Sequence, residues 1–196
     1  ANSAATRSLG EEEKYFPWPT VPHPEDGLEV TLAALDTVVA QAGGPEKLLG
    51  IFCESVQRRS GKTLSAESWA ALCAWRDRHQ VPLILSENQT GLGRCGTGRR
   101  WWLEGVEGEA DLVLWWAGGQ IGHIFSSPEA FVAKPLTLIS TWDGDELSAL
   151  RIQHQLHAIR RAPVTARTAQ LDRILTRLFP AQEHAGLGLY RVVTHP

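Results

Sequence analysis

Residues 83–96 read LILSENQTGLGRCG. Leu83-Ile84-Leu85 is an unbroken apolar run. It opens directly into a polar and glycine-rich stretch, Ser86-Glu87-Asn88-Gln89-Thr90-Gly91, that ends at Arg94-Cys95-Gly96. An earlier segment, LLGIFCES (48–55), has the same form, apolar and then polar. Between the two, Leu64-Ser65 opens a stretch of helical spacing with Trp69, Leu72 and Cys73 on one face, stopped near His79 by Val81-Pro82. Strand, helix, strand in that order predicts parallel pairing, and the near-continuous apolar runs predict a sheet covered on both faces. In such sheets ligands bind beyond the carboxyl ends of the strands. The tips of interest are therefore Glu54-Ser55, Ser86 to Thr90, and Trp115 to Gly119.

The rest of the chain extends this α/β pattern. Upstream, Asp26 with Glu29 three residues on reads as a helix start, and Val30, Leu32, Leu35, Val38 and Val39 give an apolar face closed by Gly43-Gly44. Before it, YFPWPTVPHPEDG holds four prolines and predicts irregular chain. Downstream, DLVLWW (111–116) reads as a third apolar strand, with IGHIFSS (121–127) after it. Helical spacing returns from Asp143 to about Arg161 (Leu147, Leu150, His154) and from Thr165 to Phe179 (Leu171, Ile174, Leu175, Leu178). GLGLYRVVTHP closes the sequence as an expected strand.

The bulk properties narrow the classes. The 196 residues are 43% hydrophobic and 21% charged, which suits a folded domain with a real core. The net charge of −3, with basic residues in short pairs such as Arg58-Arg59 and no long run, gives no basic stripe for nucleic acid. Cys53, Cys73 and Cys95 form neither a disulfide framework nor a zinc pattern, and no metal site is expected. No apolar run has the ~18 residues of a membrane helix, and ANSAATRSLGEEEKYF has no signal-like apolar segment, so a cytoplasmic location is expected.

Five landmarks, taken in order, carry a resemblance: IFCESVQ, LILSENQTGLGRCG, ADLVLWWAGG, STWDGDEL and HAGLGLY. Together they resemble the second half of a class III (ornithine or 4-aminobutyrate type) aminotransferase, a pyridoxal-phosphate enzyme of fold type I. The resemblance implies an α/β architecture: a partial aminotransferase large-domain sheet, parallel or mixed, with flanking helices, and a remnant α+β small domain. It divides the chain into an irregular arm (1–27), the second half of the large domain (28–140) and part of the small domain (141–196).

Residue by residue, Glu54-Ser55-Val56-Gln57 matches the family's E-P-x-Q without its proline, and places Glu54 as a vestigial substrate contact. In the family's D-E-x-Q-T-G-x-G-R-x-G, Ser86 stands where an aspartate keeps the pyridine nitrogen protonated, so that the ring acts as an electron sink. Asn88 replaces an apolar residue that packs on that ring, while Gln89 and Thr90 match. Asp111 matches the aspartate six residues before the Schiff-base lysine, and the lysine's position holds Ala117. The lysines of this chain are Lys14, Lys47, Lys62 and Lys134. Thr141 aligns with a residue that reaches the partner subunit's cofactor phosphate, and Ala185 with the arginine that clamps the substrate carboxylate.

Ser86, Asn88, Gln89 and Thr141 are thus vestigial cofactor positions, no catalytic residue is assigned, and pyridoxal phosphate is expected only non-covalently or with completion by another chain. The expected function is that of a non-catalytic aminotransferase-like protein, a structural or regulatory partner. The alternatives are an aminotransferase completed by another chain, and a small-molecule binding module using the old cleft. A homodimer, or a complex with another aminotransferase-like chain, is the expected assembly, with neither nucleic acid nor membrane as partner. Family chains are about twice as long, which leaves a half-sheet with an open edge for another chain, the tryptophan pairs or the N-terminal arm to cover. Simpler roles stand beside these: Glu54 as a solvated strand-end acid, Gln89 and Thr90 as turn formers, Arg94 as an anchor of the glycine-rich loop. His123 and His184 read as ordinary polar contacts, and the tryptophan pairs as core and interface packing.

Overall fold

A computed structural model describes residues 18–97, 99, 101–116, 122–135, 137, 145–179 and 184–193. A four-stranded sheet of order β1-β2-β3-β4 organises it: β1 (Ile51–Glu54), β2 (Leu83–Ser86), β3 (Leu112–Trp116) and β4 (Gly122–Ser126). β1, β2 and β3 run parallel and β4 returns antiparallel to β3. Helix α1 (Leu28–Ala42) precedes β1, α2 (Ala66–His79) makes the β1–β2 crossover, and α3 (Glu146–Arg161) and α4 (Val164–Leu178) follow the sheet. A two-stranded hairpin, β5 (His184–Leu187) and β6 (Tyr190–Val193), comes last. The segment expected as one closing strand therefore folds on itself, because Gly188 takes a left-handed φ of 59° and makes the turn.

The local signals explain the element ends. Ser65 caps α2 by accepting from the Ser68 N–H at 3.1 Å, and Gln80, with φ 57°, ends it before Val81-Pro82. Gly43, at φ 87°, closes α1. The start of α1 differs from expectation: its N-cap is Gly27, and Asp26 ends a short 3-10 turn (Pro24–Asp26) and pairs with Lys62. That pairing is long-range, so nothing in the local pattern announced it.

Register assigns the sheet two faces. Leu85, Val113 and Phe125 are direct neighbours across β2, β3 and β4, and with Leu83, Cys53 and Trp115 they define one face, called face A. Face A is packed: Leu83, Leu85 and Val113 join Leu35 of α1, Trp69, Leu72, Cys73 and Trp75 of α2, and Leu103 in one buried cluster. Trp115 adds a second cluster with Ile152 of α3. Three indole N–H groups around this core reach long-range acceptors: Trp69 to the Gly108 carbonyl (3.1 Å), Trp75 to Asp36 (2.8 Å) and Trp102 to the Leu64 carbonyl (3.2 Å). Burial pushes the Cys53 thiol up to about 12 and the Cys73 thiol up to about 11, as expected for inert core thiols.

Face B carries Phe52, Glu54, Ile84, Ser86, Leu112, Leu114, Trp116 and Ile124. Its apolar members belong to neither packed cluster, and Trp116 and Ile124 are 51% and 64% exposed. The expectation of a sheet covered on both faces is thus met on face A alone among the described residues. The helical spacing expected after Asp143 is met by α3, in which Leu147 and Leu150 are 74% and 53% exposed and Ile152 and Leu156 make the contacts. The expected boundary at 140/141 falls outside the described residues.

Candidate functional site

The three parallel strands end side by side, and consecutive residues at each tip face opposite ways. On face A, Ser55 and Glu87 meet. The Glu87 carboxylate has no exposed surface, yet no cation reaches it in the described structure. Its partners are four donors: the hydroxyls of Ser55 (2.8 Å) and Thr90, and the backbone N–H groups of Trp102 and Leu103 (both 3.1 Å). Burial raises its pKa above the ordinary carboxylate value, against the pull of these hydrogen bonds. Glu87 thereby ties β2, the tip of β1, the Thr90 turn and the Trp101–Leu103 segment into one unit. Its acid was not singled out in the sequence, although its place next to a strand end followed by Thr90 was visible.

On face B, Glu54 and Ser86 are register partners, both buried, so two of the sequence-predicted site residues do come together. Glu54 accepts from the Arg58 N–H at 3.3 Å, and burial raises its pKa. It is therefore a sequestered acid and not the solvated strand-end group of the simpler reading. Asn88 and Gln89 are half-buried in the turn that follows β2. Ala117 and Thr141 lie outside the described residues.

The glycine-rich loop is held from within. Arg94 donates to three backbone carbonyls: Gly91 and Asn88 at 2.8 Å and Trp116 at 3.2 Å. Its role is that of a loop anchor. Leu92 sits at φ 60° within this loop, a conformation that a branched-chain residue adopts only under local constraint. The hairpin closes against the same loop: the Leu189 N–H donates to the Arg94 carbonyl at 2.6 Å, and Gly188 leaves no room there for a Cβ. The Tyr190 hydroxyl donates to the Arg58 carbonyl at 2.8 Å, and a Cβ on Gly61 would lie 2.7 Å from the Ala185 carbonyl carbon. Ala185 is thus packed backbone-to-backbone on the turn after β1.

The histidine reading needs adjustment. His123 stacks on Trp115 with ring centroids 4.6 Å apart, and burial lowers its pKa. Its Nε2, the Trp115 Nε1 and the His184 Nδ1 are buried without a hydrogen-bond partner, so stacking, not polar contact, places His123. Downstream, Asp145 caps α3 by accepting from the Ser148 N–H at 2.9 Å. A cavity of about 390 Å³ lies on face A among Trp69, Trp101, Val113 and Phe125, away from the Glu54–Ser86 tip. The described residues hold no group of side chains suited to a metal ion, and no described helix is long and apolar enough to cross a membrane.

No family model matches this chain. Among curated proteins it is similar to the 5-aminovalerate aminotransferase DavT of Pseudomonas aeruginosa, 24% identical over 60% of this chain and 32% of that protein. Among solved structures it matches an (S)-enantioselective omega-transaminase from Thermomicrobium roseum with a TM-score of 0.75 and 21% identity, over 97% of this chain and 50% of the other. The lysine aminotransferase of M. tuberculosis in its internal aldimine form matches with a TM-score of 0.72 and 20% identity, over 92% and 47%. The chain therefore carries part of the aminotransferase fold. It spans about a third of the length of DavT and about half of the two solved chains.

Proposed function

We propose that this chain is a non-catalytic aminotransferase-like protein that acts as a structural or regulatory partner. One observation supports the reading above others: the acid beside the ring-nitrogen position is unavailable. Ser86 presents a hydroxyl on face B, and its neighbour Glu87, which could have supplied the missing charge, is turned to face A and held by four internal donors. A hydroxyl brings no charge to a pyridine nitrogen, so the residues present do not fit pyridoxal phosphate as a working cofactor. The amine is missing as well. Position 117 is alanine, and Lys62 is engaged with Asp26.

The test is an absorbance scan of the purified chain with pyridoxal phosphate, then borohydride reduction and intact mass. Expected are the spectrum of free cofactor and an unmodified mass. A trapped adduct mapped to this chain would overturn the reading. The Ala117→Lys, Ser86→Asp double variant is the control that shows whether restoring both groups restores the adduct.

A further inference from the structure

We propose that the cavity on face A is a binding site for an organic cation, whose methylated ammonium group is held by aromatic rings and a carboxylate. The site is separate from the Glu54–Ser86 tip and from position 117, so it stands apart from the partner reading. The cavity, about 390 Å³, is lined by the 101–110 segment, by β3 and β4 and by Trp69 of α2, and its size is within the range of small-molecule sites. Two long-range attachments fix the segment. The Trp102 and Leu103 N–H groups donate to Glu87, and the Gly108 carbonyl accepts from the Trp69 indole at 3.1 Å. The wall is therefore formed before any ligand arrives, and binding does not have to order it.

The ligand class follows from the lining. Trp69, Trp101 and Phe125 all border the space. Trp69 spends its N–H on Gly108, so what it offers a ligand is ring carbon. Trp101 and Phe125 have centroids 5.1 Å apart and planes inclined at 44°, a corner and not a flat stack. Aromatic faces carry negative charge density and attract a cation. The charged residues among the lining are Glu104 and Glu109, and no Lys, Arg or His joins them. Glu104 has a further partner, whereas Glu109 is exposed, so its carboxylate is open to a ligand. An anion would meet two carboxylates, and a neutral apolar ligand would leave Glu109 unused. A methylated ammonium needs no hydrogen-bond acceptor, and it can rest on aromatic carbon with its charge near Glu109.

The experiment titrates choline into the purified chain by calorimetry, beside dimethylbutanol, its neutral carbon isostere. Expected is saturable binding of choline, with the alcohol at least about ten-fold weaker. Trp101→Leu keeps apolar bulk but removes the ring, and should erase the advantage of choline over the alcohol. Glu109→Gln should weaken choline by about three-fold and leave the alcohol unchanged. Because Glu109 is exposed, this variant keeps its fold even if Trp101→Leu does not, and circular dichroism checks both. Glu46→Gln, an exposed acid in the turn after α1, should change nothing. Equal affinity for choline and the alcohol would overturn the proposal. So would the absence of saturable binding, or choline binding that Glu109→Gln and a folded Trp101→Leu both leave intact.

Discussion

The two faces of the sheet are built from the same strands and the same kinds of residue, yet among the described residues only one has become a core. Leu85 and Val113 on face A are buried under α1 and α2, while Ile84 and Leu114, one position away, stay half-open. The strand tips repeat the contrast at the scale of single residues. Glu87 is locked by four donors on face A, and Ser86 beside it lies buried on face B with Glu54 as its neighbour. The lesson is that the side which gained packing also gained its polar network.

Breaking the packed face should cost the most. Trp75→Ala removes a fully buried indole and its hydrogen bond to Asp36, and should lower unfolding stability in urea by about 3–5 kcal/mol. Glu87→Ala comes next. It strands two backbone N–H groups and takes one partner from each of the Ser55 and Thr90 hydroxyls, which keep each other, for an expected loss of about 2–3 kcal/mol, with hydrogen exchange at Trp102 and Leu103 rising first.

The pH dependence sharpens the comparison further. A raised folded value means that the folded state keeps the Glu87 proton at pH where the unfolded chain has released it. The stability it contributes is complete below the unfolded value near 4.5 and is lost as pH rises through the higher folded value. Asp26 and Asp145 are shifted the opposite way, so the whole curve is a sum. The difference between wild type and Glu87→Gln isolates one group: wild type should gain stability relative to the variant as pH falls through that window. The smallest effect belongs to the open face. Ile124→Ser should change the stability of the isolated chain by no more than about 0.5 kcal/mol, because the side chain has little burial to lose. A loss comparable to that of Trp75→Ala would mean face B is already covered.

Much of the fold was legible. The apolar runs at 51–54, 83–86 and 112–116 and the Trp69, Leu72, Cys73 face of α2 read correctly because periodicity and short-range stops such as Val81-Pro82 act locally. Arg94 as a loop anchor read correctly for the same reason, since its acceptors Gly91 and Asn88 are sequence neighbours. What failed depended on distant partners. Asp26 looked like a helix start and is paired with Lys62; His123 looked polar and is stacked on Trp115. Helical spacing says that a stripe exists but not which stripe finds a neighbour.

By itself the sequence determined the order of strands and helices, the parallel β1–β2 pairing and the identities of Ala117, Ser86 and Ala185. Each of these is a property of residue type and spacing along the chain. Only the tertiary structure decided that Glu87 is spent on internal donors, that Glu54 is sequestered beside Ser86, and that one apolar face is buried while the other is not. Those outcomes turn on which side of a strand a residue faces and on what packs there. A two-residue alternation carries the first, and only contacts between segments far apart in the chain carry the second.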